Sequence, residues 1–330
     1  MQMRKLGSSD VHVTPVVLGT WAIGGWLWGD QDDDDALAAI RAGLDAGMTT
    51  IDTAPIYGFG HSEEIVGKAI AGRRDEVQLL TKYGLRWDRT EGEFYFKTQD
   101  IEGHHYEVYR NAKPDSIVEE CERSLKRLGT DCIDLYQCHW RDHTTPVEET
   151  MEAVEKLLKA GKIRAAGVSN FTVEEIQSAR SGVPLASNQP PYSMVKRDIE
   201  REMVPYAQSN DLALIVYSPL QLGLLTGKLT MDREFPPSDL RSQSPYFKPE
   251  NRRKVIDFLE KLAPIADGHH ATVAQLVIHW TIHRPGVTAA LVGSRNPDQA
   301  RENAAAAGIE LTDAERETID GLVEGLHLDV

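Results

Sequence analysis

Cysteine is scarce in this chain: Cys121, Cys132 and Cys138 are the only three in 330 residues. A low, odd count cannot build a disulfide scaffold and suits a reducing cytoplasm, which is the expected location. Cys138 and His139 are adjacent, but no second cluster stands at zinc spacing, so no metal site is expected. The isolated pairs His104–His105 and His269–His270 read as solvated surface. Basic charge is in the minority: 36 Lys and Arg stand against 51 Asp and Glu, a net charge of −15. That balance argues against nucleic acid and against an anionic membrane surface as partners. No apolar run reaches the roughly 18 residues of a membrane span. The opening Met1–Gly7 lacks the apolar stretch of a signal peptide. A Gly-x-Gly-x-x-Gly turn is also missing. The first apolar run ends Gly19-Thr-Trp-Ala-Ile-Gly-Gly25 instead, which argues against a doubly wound dinucleotide fold. Gly223-Leu-Leu-Thr-Gly-Lys-Leu229 is one residue short of a phosphate loop and lacks Ser or Thr after Lys228. A nucleoside triphosphate site is therefore excluded.

What is present is alternation. The chain is 41% hydrophobic, enough for a large core. Short Val/Ile/Leu runs of the kind that form buried parallel strands occur at 16–21, 49–54, 77–83, 132–139, 165–170, 185–192, 212–220 and 288–296. Amphipathic stretches separate them, at 33–46, 62–71, 115–128, 147–160, 172–179, 198–209, 253–266 and 273–283, with a further one at 312–326. Gly47, Gly129 and Gly161 stand where helices want a C-terminal stop. Eight strand–helix alternations predict a (β/α)8 TIM barrel, with residues 1–330 forming one domain. Residues 1–15 turn at Ser8-Ser9-Asp10 and predict a small β-hairpin capping the barrel. Two long insertions follow the third and seventh strands, at 85–114 and 221–250. The first is polar and aromatic, and is expected to be a mobile loop along the substrate side.

Four polar groups close separate apolar runs: Asp52, Tyr57 just after it, Lys82 and His139. In such barrels the active site lies at the C-terminal ends of the strands, where all four map. A phenol is a weak acid and needs a neighbouring cation to release its proton near neutrality. Asp52, Tyr57, Lys82 and His139 thus read as an acid–base constellation. A barrel hydrolase or isomerase using Asp52 and His139 is disfavoured by the lack of a metal cluster.

The tetrad and several motifs resemble the aldo-keto reductases. The motifs are Gly19-Thr-Trp21, Asp52-Thr-Ala-x-x-Tyr57-Gly, Ser62-Glu-Glu-x-x-Gly67 and Gly161-Lys-Ile-Arg-Ala-Ala-Gly-Val-Ser-Asn170. Gln189-Pro-Pro-Tyr192, Tyr217-Ser-Pro-Leu220 and Gly293-Ser-Arg-Asn-x-x-Gln299-x-x-Glu302-Asn303 complete the set. The likeness covers nearly the whole chain and is greatest to bacterial general-stress-type members near the potassium-channel β-subunit branch.

The resemblance implies NADP(H)-dependent reduction of aldehydes, and possible extension to ketones or sugars, with reversal toward alcohol or polyol oxidation. NAD(H) is a second possible cofactor. Tyr57 is implied as proton donor, its pKa lowered by Lys82 paired with Asp52, while His139 orients the carbonyl. Thr20, Trp21 and Asp52 are implied at the cofactor. Ser169, Asn170 and Gln189 are implied at the carboxamide, with Tyr217 stacked on the nicotinamide. Ser218, Pro219, Leu220, Gly223, Lys228 and Arg241 are implied at the pyrophosphate. Gly293, Ser294, Arg295, Gln299, Glu302 and Asn303 are implied around the adenosine. Many members carry lysine and arginine where Gly293 and Gln299 stand, which leaves Arg295 as the implied 2′-phosphate contact. Trp21, Trp28, Trp87 and Trp140 are the expected substrate walls, with Arg86, Arg141 and His143 as candidate polar contacts. A cofactor-binding regulatory subunit of the channel β-subunit type is the alternative function.

Overall fold

Apolar runs bounded by polar turns become the strands of a closed barrel. The computed structural model describes residues 1–29, 31–236 and 239–330. Strands β1 (Arg4–Lys5) and β2 (His12–Val13) pair antiparallel as the expected hairpin. Strands β3 (Val16–Gly19), β4 (Thr50–Asp52) and β5 (Gln78–Tyr83) start the barrel. Strands β6 (Leu85–Arg86), β7 (Glu93–Gln99) and β8 (His105–Arg110) form a separate antiparallel sheet. The barrel resumes with β9 (Ile133–Cys138), β10 (Ile163–Ser169), β11 (Leu185–Gln189), β12 (Ala213–Tyr217) and β13 (Val287–Gly293). It closes in the order β10-β11-β12-β13-β3-β4-β5-β9, every pairing parallel. This is the (β/α)8 barrel.

Parallel neighbours need long crossovers, and helices supply them. They are α1 (Asp33–Asp45), α2 (His61–Ile70), α3 (Pro114–Leu128), α4 (Val147–Lys159), α5 (Val173–Arg180), α6 (Met203–Ser209), α7 (Pro249–Gly268) and α8 (Val273–Ile282). Helices α9 (Pro297–Ala305) and α10 (Asp313–Glu324) follow the last strand. Local chemistry sets their ends. Thr172, Thr272 and Thr312 each close a capping box with Glu175, Gln275 and Glu315. Gly129 takes the left-handed conformation (φ 64°) that ends α3.

Some expected boundaries shift for steric reasons. The regular strand of the run 185–192 ends at Gln189, because Pro190 and Pro191 have no amide hydrogen for the ladder; an isolated parallel bridge from Pro191 to Tyr217 continues the pairing. The helix expected over 198–209 begins only at Met203, after a short 3-10 turn at Asp198–Glu200. The later start places Pro205 in the first turn of α6, where its missing amide hydrogen costs nothing. Helix α7 starts earlier than expected, with Pro249 at its first position. Helix α9 lies outside the expected stretches, although Asn296 caps it by accepting from the Gln299 amide and Pro297 opens it.

The core has three clusters, one of them a small group of Trp26, Ala54, Ile56, Leu85 and Val108 on which Tyr57 and other aromatic rings pack. A large one packs strands against helices. A smaller one fills the barrel with Val17, Leu80, Leu135, Ala213, Ile215 and Ala289, and is plugged by Leu6, Val11 and Val13 of the hairpin. Gly7 is the tight point of that plug. Its φ is 51°, and a Cβ there would lie 2.3 Å from the Ala186 carbonyl oxygen.

The 85–114 insertion corrects the expectation of a loop. Its aromatic and β-branched content builds the sheet β6-β8-β7, and Asp100 accepts from the Glu102 and His104 amides at the turn. Buried carboxylates hold both roots. Glu120 accepts from the Gly84 N–H at 3.2 and 3.1 Å, and Asp142 accepts from the Ala112 N–H at 2.9 Å. The 221–250 insertion runs through 3-10 turns at Gln221–Thr226, Leu240–Gln243 and Pro245–Phe247, while its residues 237 and 238 lie outside the described residues.

Burial pushes the Glu120 carboxyl up to about 7, against the opposing pull of Arg86. Between the ordinary carboxylate range and about 7, the folded chain keeps this proton and the unfolded chain loses it. Stability from this group is therefore greatest at acid pH and falls as pH rises toward 7. Glu120→Gln removes the titration. Melting temperature against pH should show the variant gaining several degrees on the wild type between about pH 5 and pH 7.5. Parallel curves would contradict the assignment.

Candidate active site

Strand ends deliver the four polar residues to one place. Asp52 ends β4, Lys82 lies in β5, and His139 follows β9. Tyr57 sits on a loop clamped backbone to backbone against Gly24. A Cβ on Gly58 (φ 65°) would fall 2.3 Å from the Gly24 oxygen. Lys82 Nζ donates to Asp52 Oδ1 at 2.5 Å, to the Thr53 carbonyl at 2.9 Å and toward the Tyr57 hydroxyl at 3.4 Å. The His139 ring meets Tyr57 edge-on, with centroids 5.9 Å apart.

The electrostatics revise one expectation. Burial, reinforced by the Asp52 charge, holds the Tyr57 phenol well above its ordinary pKa. Lys82 does not reverse this, because its ammonium is already matched by Asp52 and its own pKa is lowered by burial. Tyr57 is therefore protonated at neutrality. Burial, then the Lys82 charge, pushes His139 well below its ordinary value, so its imidazole is neutral. The site thus offers one neutral O–H and one neutral ring beside a closed ion pair.

Three polar side chains extend this centre along the strand ends. Ser169 Oγ donates to the Gln189 carbonyl at 2.9 Å. Asn170, with φ 62°, donates to the His139 carbonyl at 3.2 Å and accepts from the Tyr217 hydroxyl at 2.9 Å. Gln189 Nε2 donates to Asp52 Oδ2 at 2.9 Å. Gln137, which sequence reasoning passed over, donates to the same oxygen at 3.3 Å. Its signal was a lone polar residue in the run Leu135-Tyr-Gln-Cys138.

A cavity of about 650 Å³ opens above this centre. Its walls include Thr20, Trp21, Asp52, Tyr57, His139, Ser169, Asn170, Gln189, Tyr217, Ser218, Pro219, Leu220 and Gly223. Lys228, Arg241, Gly293, Arg295, Gln299, Glu302 and Asn303 continue the wall away from Tyr57. Ser294 is the exception: it is buried off the cavity, its Oγ accepting from Asn303 Nδ2 at 3.0 Å. The cations are already engaged. Lys228 pairs with Glu302 at 3.2 Å and Arg241 with Asp239 at 2.6 Å. Arg295 Nε donates to Gln31 Oε1 at 2.6 Å.

Aromatic rings also line the cavity, and Arg241 stands over one of them, its guanidinium 5.8 Å from the Trp28 ring. Trp21 stacks on Tyr57 at 6.1 Å, and Trp28 meets Trp21 edge-on at 5.6 Å. Trp140 lines the cavity with Tyr95 and Phe96 from the β7 ribbon, and with Trp26. The last three were not singled out in the sequence; the cluster Trp21, Trp26, Trp28 was the available signal for Trp26. Trp87 does not reach the cavity; it packs edge-on against Phe59 at 5.5 Å. Neither do the three candidate polar contacts. Arg86 is buried against Asp88 and Ser116, Arg141 donates to the Thr145 carbonyl, and His143 bonds Glu93.

The donor set fits a nicotinamide dinucleotide. Amide and hydroxyl side chains gather near Tyr57, the Tyr217 ring lines the cavity, and so do three cations, Lys228, Arg241 and Arg295. The backbone between them takes left-handed conformations at Ser218, Gln221, Leu222 and Gly223. Such turns present backbone amides to anions. The indole N–H groups of Trp21 and Trp28 are buried without a hydrogen-bond partner among the described residues.

Comparison with known proteins agrees with this geometry. The sequence profile of the Aldo/keto reductase family matches residues 15–324. Aldo-keto reductase YhdN of Bacillus subtilis (strain 168) is 40% identical over 332 residues, spanning 100% of this chain and 96% of its own length. The NADH-specific methylglyoxal reductase of Escherichia coli (strain K12) is 37% identical over 333 residues, spanning 99% of this chain and 100% of its own length. Among solved structures, the glycerol dehydrogenase AKR11B4 of Gluconobacter oxydans matches with a TM-score of 0.88 at 39% identity, over 98% of this chain and 95% of that one. A closed parallel barrel, a tetrad at its strand ends and a full-length match lead to one conclusion: the chain belongs to the aldo/keto reductase family of nicotinamide-dependent oxidoreductases.

Proposed function

We propose that this chain is a cytoplasmic reductase of aldehydes, with ketones and sugars as further carbonyl substrates, that prefers NADP(H) over NAD(H) and can run toward alcohol or polyol oxidation. Residues 1–330 act as one catalytic domain. The observation that carries the reading is the Tyr57 hydroxyl, which faces the cavity, is held protonated, and lies 3.4 Å from Lys82. The three free cysteines suit a reducing cytoplasm. The relatives named above are reductases and a dehydrogenase, so the regulatory-subunit alternative draws no support from them.

The division of labour follows from the geometry. A bound reduced nicotinamide supplies the hydride. Tyr57 gives its proton to the oxygen of the carbonyl as negative charge develops there. Lys82, kept in place by Asp52, offsets charge on the Tyr57 oxygen once the proton has left. His139, neutral, donates a hydrogen bond that orients the carbonyl oxygen. Ser169, Asn170 and Gln189 would hold the carboxamide of the bound cofactor, and Tyr217 would lie against its nicotinamide. Trp21, Trp28 and Trp140 enclose the substrate with the β7 ribbon.

Two measurements bear on this reading. Tyr57→Phe should bind NADPH as the wild type does and lose about 10²–10⁴-fold in aldehyde reduction, because it removes the proton donor alone. A variant that reduces a good aldehyde at the wild-type rate would show that Tyr57 is not the acid. Arg295→Ala tests the cofactor preference. Arginine grips phosphate with charge-assisted hydrogen bonds, so its loss should weaken NADPH about ten- to hundredfold and leave NADH nearly unchanged. Tryptophan quenching by each cofactor gives the dissociation constants. Equal wild-type affinities would make this a dual-specificity enzyme and sink the preference.

A further inference from the structure

Gln137 is buried inside the barrel, where an amide is costly unless it is bonded. It lies in β9 directly between Lys82 of β5 and Gly167 of β10. Gly167 makes room for it. A Cβ at 167 would fall 3.1 Å from Gln137 Cγ and 2.5 Å from Ser187 Oγ.

The charge state of Asp52 orients the amides around it. Its Oδ1 is taken by the Lys82 ammonium, so the carboxylate is ionised and can only accept. The groups facing Oδ2 must therefore be nitrogens: Gln189 Nε2 at 2.9 Å and Gln137 Nε2 at 3.3 Å. Gln189 Nε2 has a second hydrogen, which it gives to Gln137 Oε1 at 3.3 Å. Both hydrogens of the Gln189 amide are thus committed inward. Its carbonyl oxygen is what remains for the cavity that Gln189 lines.

We infer that Gln137 is a positioning residue: it locks the Gln189 amide so that an acceptor faces the carboxamide NH₂ of a nicotinamide, and through Asp52 it ties that end of the dinucleotide to the Lys82–Tyr57 pair. This rests on the proposed dinucleotide site. It implies that Gln137 affects the nicotinamide end of the ligand and leaves the adenosine end alone.

The test compares Gln137→Leu and Gln137→Glu with the wild type, using NADPH, NADH and ADP-ribose, which lacks the nicotinamide. Tryptophan quenching gives the affinities, and aldehyde turnover gives kcat and KM. Gln137→Leu should bind both whole dinucleotides about tenfold more weakly, bind ADP-ribose as the wild type does, and lower kcat. Gln137→Glu should behave as the wild type at acid pH, where its protonated carboxyl donates to Asp52 and accepts from Gln189. It should take on the Leu phenotype as pH rises. Facing ionised Asp52 inside the barrel, that carboxyl should titrate above the ordinary carboxylate range.

Three results would overturn the inference. One is a Leu variant with wild-type affinities and kcat. Another is equal weakening of dinucleotide and ADP-ribose. The third, decisive if the Leu variant does not fold, is a Glu variant whose dinucleotide affinity follows pH as the wild type's does. Wild-type aldehyde turnover is read in the same assays. Its absence would count against the proposed activity, whereas the binding comparison judges Gln137 independently.

Discussion

The Lys82–Asp52 ion pair, 2.5 Å long and shut inside the barrel, is the constraint on which the rest of the site depends. Each charge costs several kcal/mol to strip of water, and the pair is tolerable only when its remaining donors and lone pairs are satisfied. That requirement accounts for the neighbours. Thr53 lends a carbonyl to the ammonium, and two glutamine amides from β9 and β11 serve the second carboxylate oxygen. Four strands, β4, β5, β9 and β11, are thereby pinned at their C-terminal ends by one hydrogen-bonded unit. The electrostatic character of the mouth follows. A closed pair presents little net charge, so burial governs the groups beside it: Tyr57 keeps its proton and His139 stays neutral.

Around this pair the chain builds two kinds of wall. The dinucleotide side is made by the ends of β10 to β13 and by backbone forced into left-handed turns at Ser218 and Gln221–Gly223. The rest of the lining includes aromatic rings from outside the barrel, on the loop after β3 and on β7 of the β7–β8 ribbon. That ribbon has few contacts with the barrel strands themselves. Its position depends on the carboxylates of Glu120 and Asp142 at its roots, together with the Asn111 N–H, which donates to the Gly84 carbonyl at 3.1 Å. Rings complete the attachment: Phe96 stacks on Trp26 at 6.0 Å and Tyr106 on Phe59 at 4.4 Å, which carries Tyr95 and Phe96 to the cavity.

Much of the fold was legible in the residues alone. Eight apolar runs separated by helical stretches predicted a parallel barrel, because only continuous burial on both faces tolerates such strands. Glycines at 129 and 161 marked helix ends through a backbone conformation that side chains resist. The order of Asp52, Tyr57, Lys82 and His139 predicted their meeting, because the barrel brings every strand end to the same mouth. Composition could not place what depends on side-chain direction. Trp87 and Trp140 read alike in sequence, yet one packs under Phe59 and the other lines the cavity. Arg86, Arg141 and His143 looked available for substrate, and each is consumed by a local partner.

The division has a physical basis. Periodicity and capping are local properties, repeated every few residues, and they determine which segments become strands and helices. Charge state and pairing depend on groups far apart in the chain. Gln137 and Asp52 are 85 residues apart, and Gln189 and Asp52 are 137 apart. By itself the sequence determined the barrel and the four residues at its mouth. Only the tertiary structure decided that burial holds the proton on Tyr57, that Gln137 serves Asp52, and that a ribbon of strands supplies part of the aromatic wall. Those outcomes turn on burial and on distances of a few ångströms between residues that no local pattern connects.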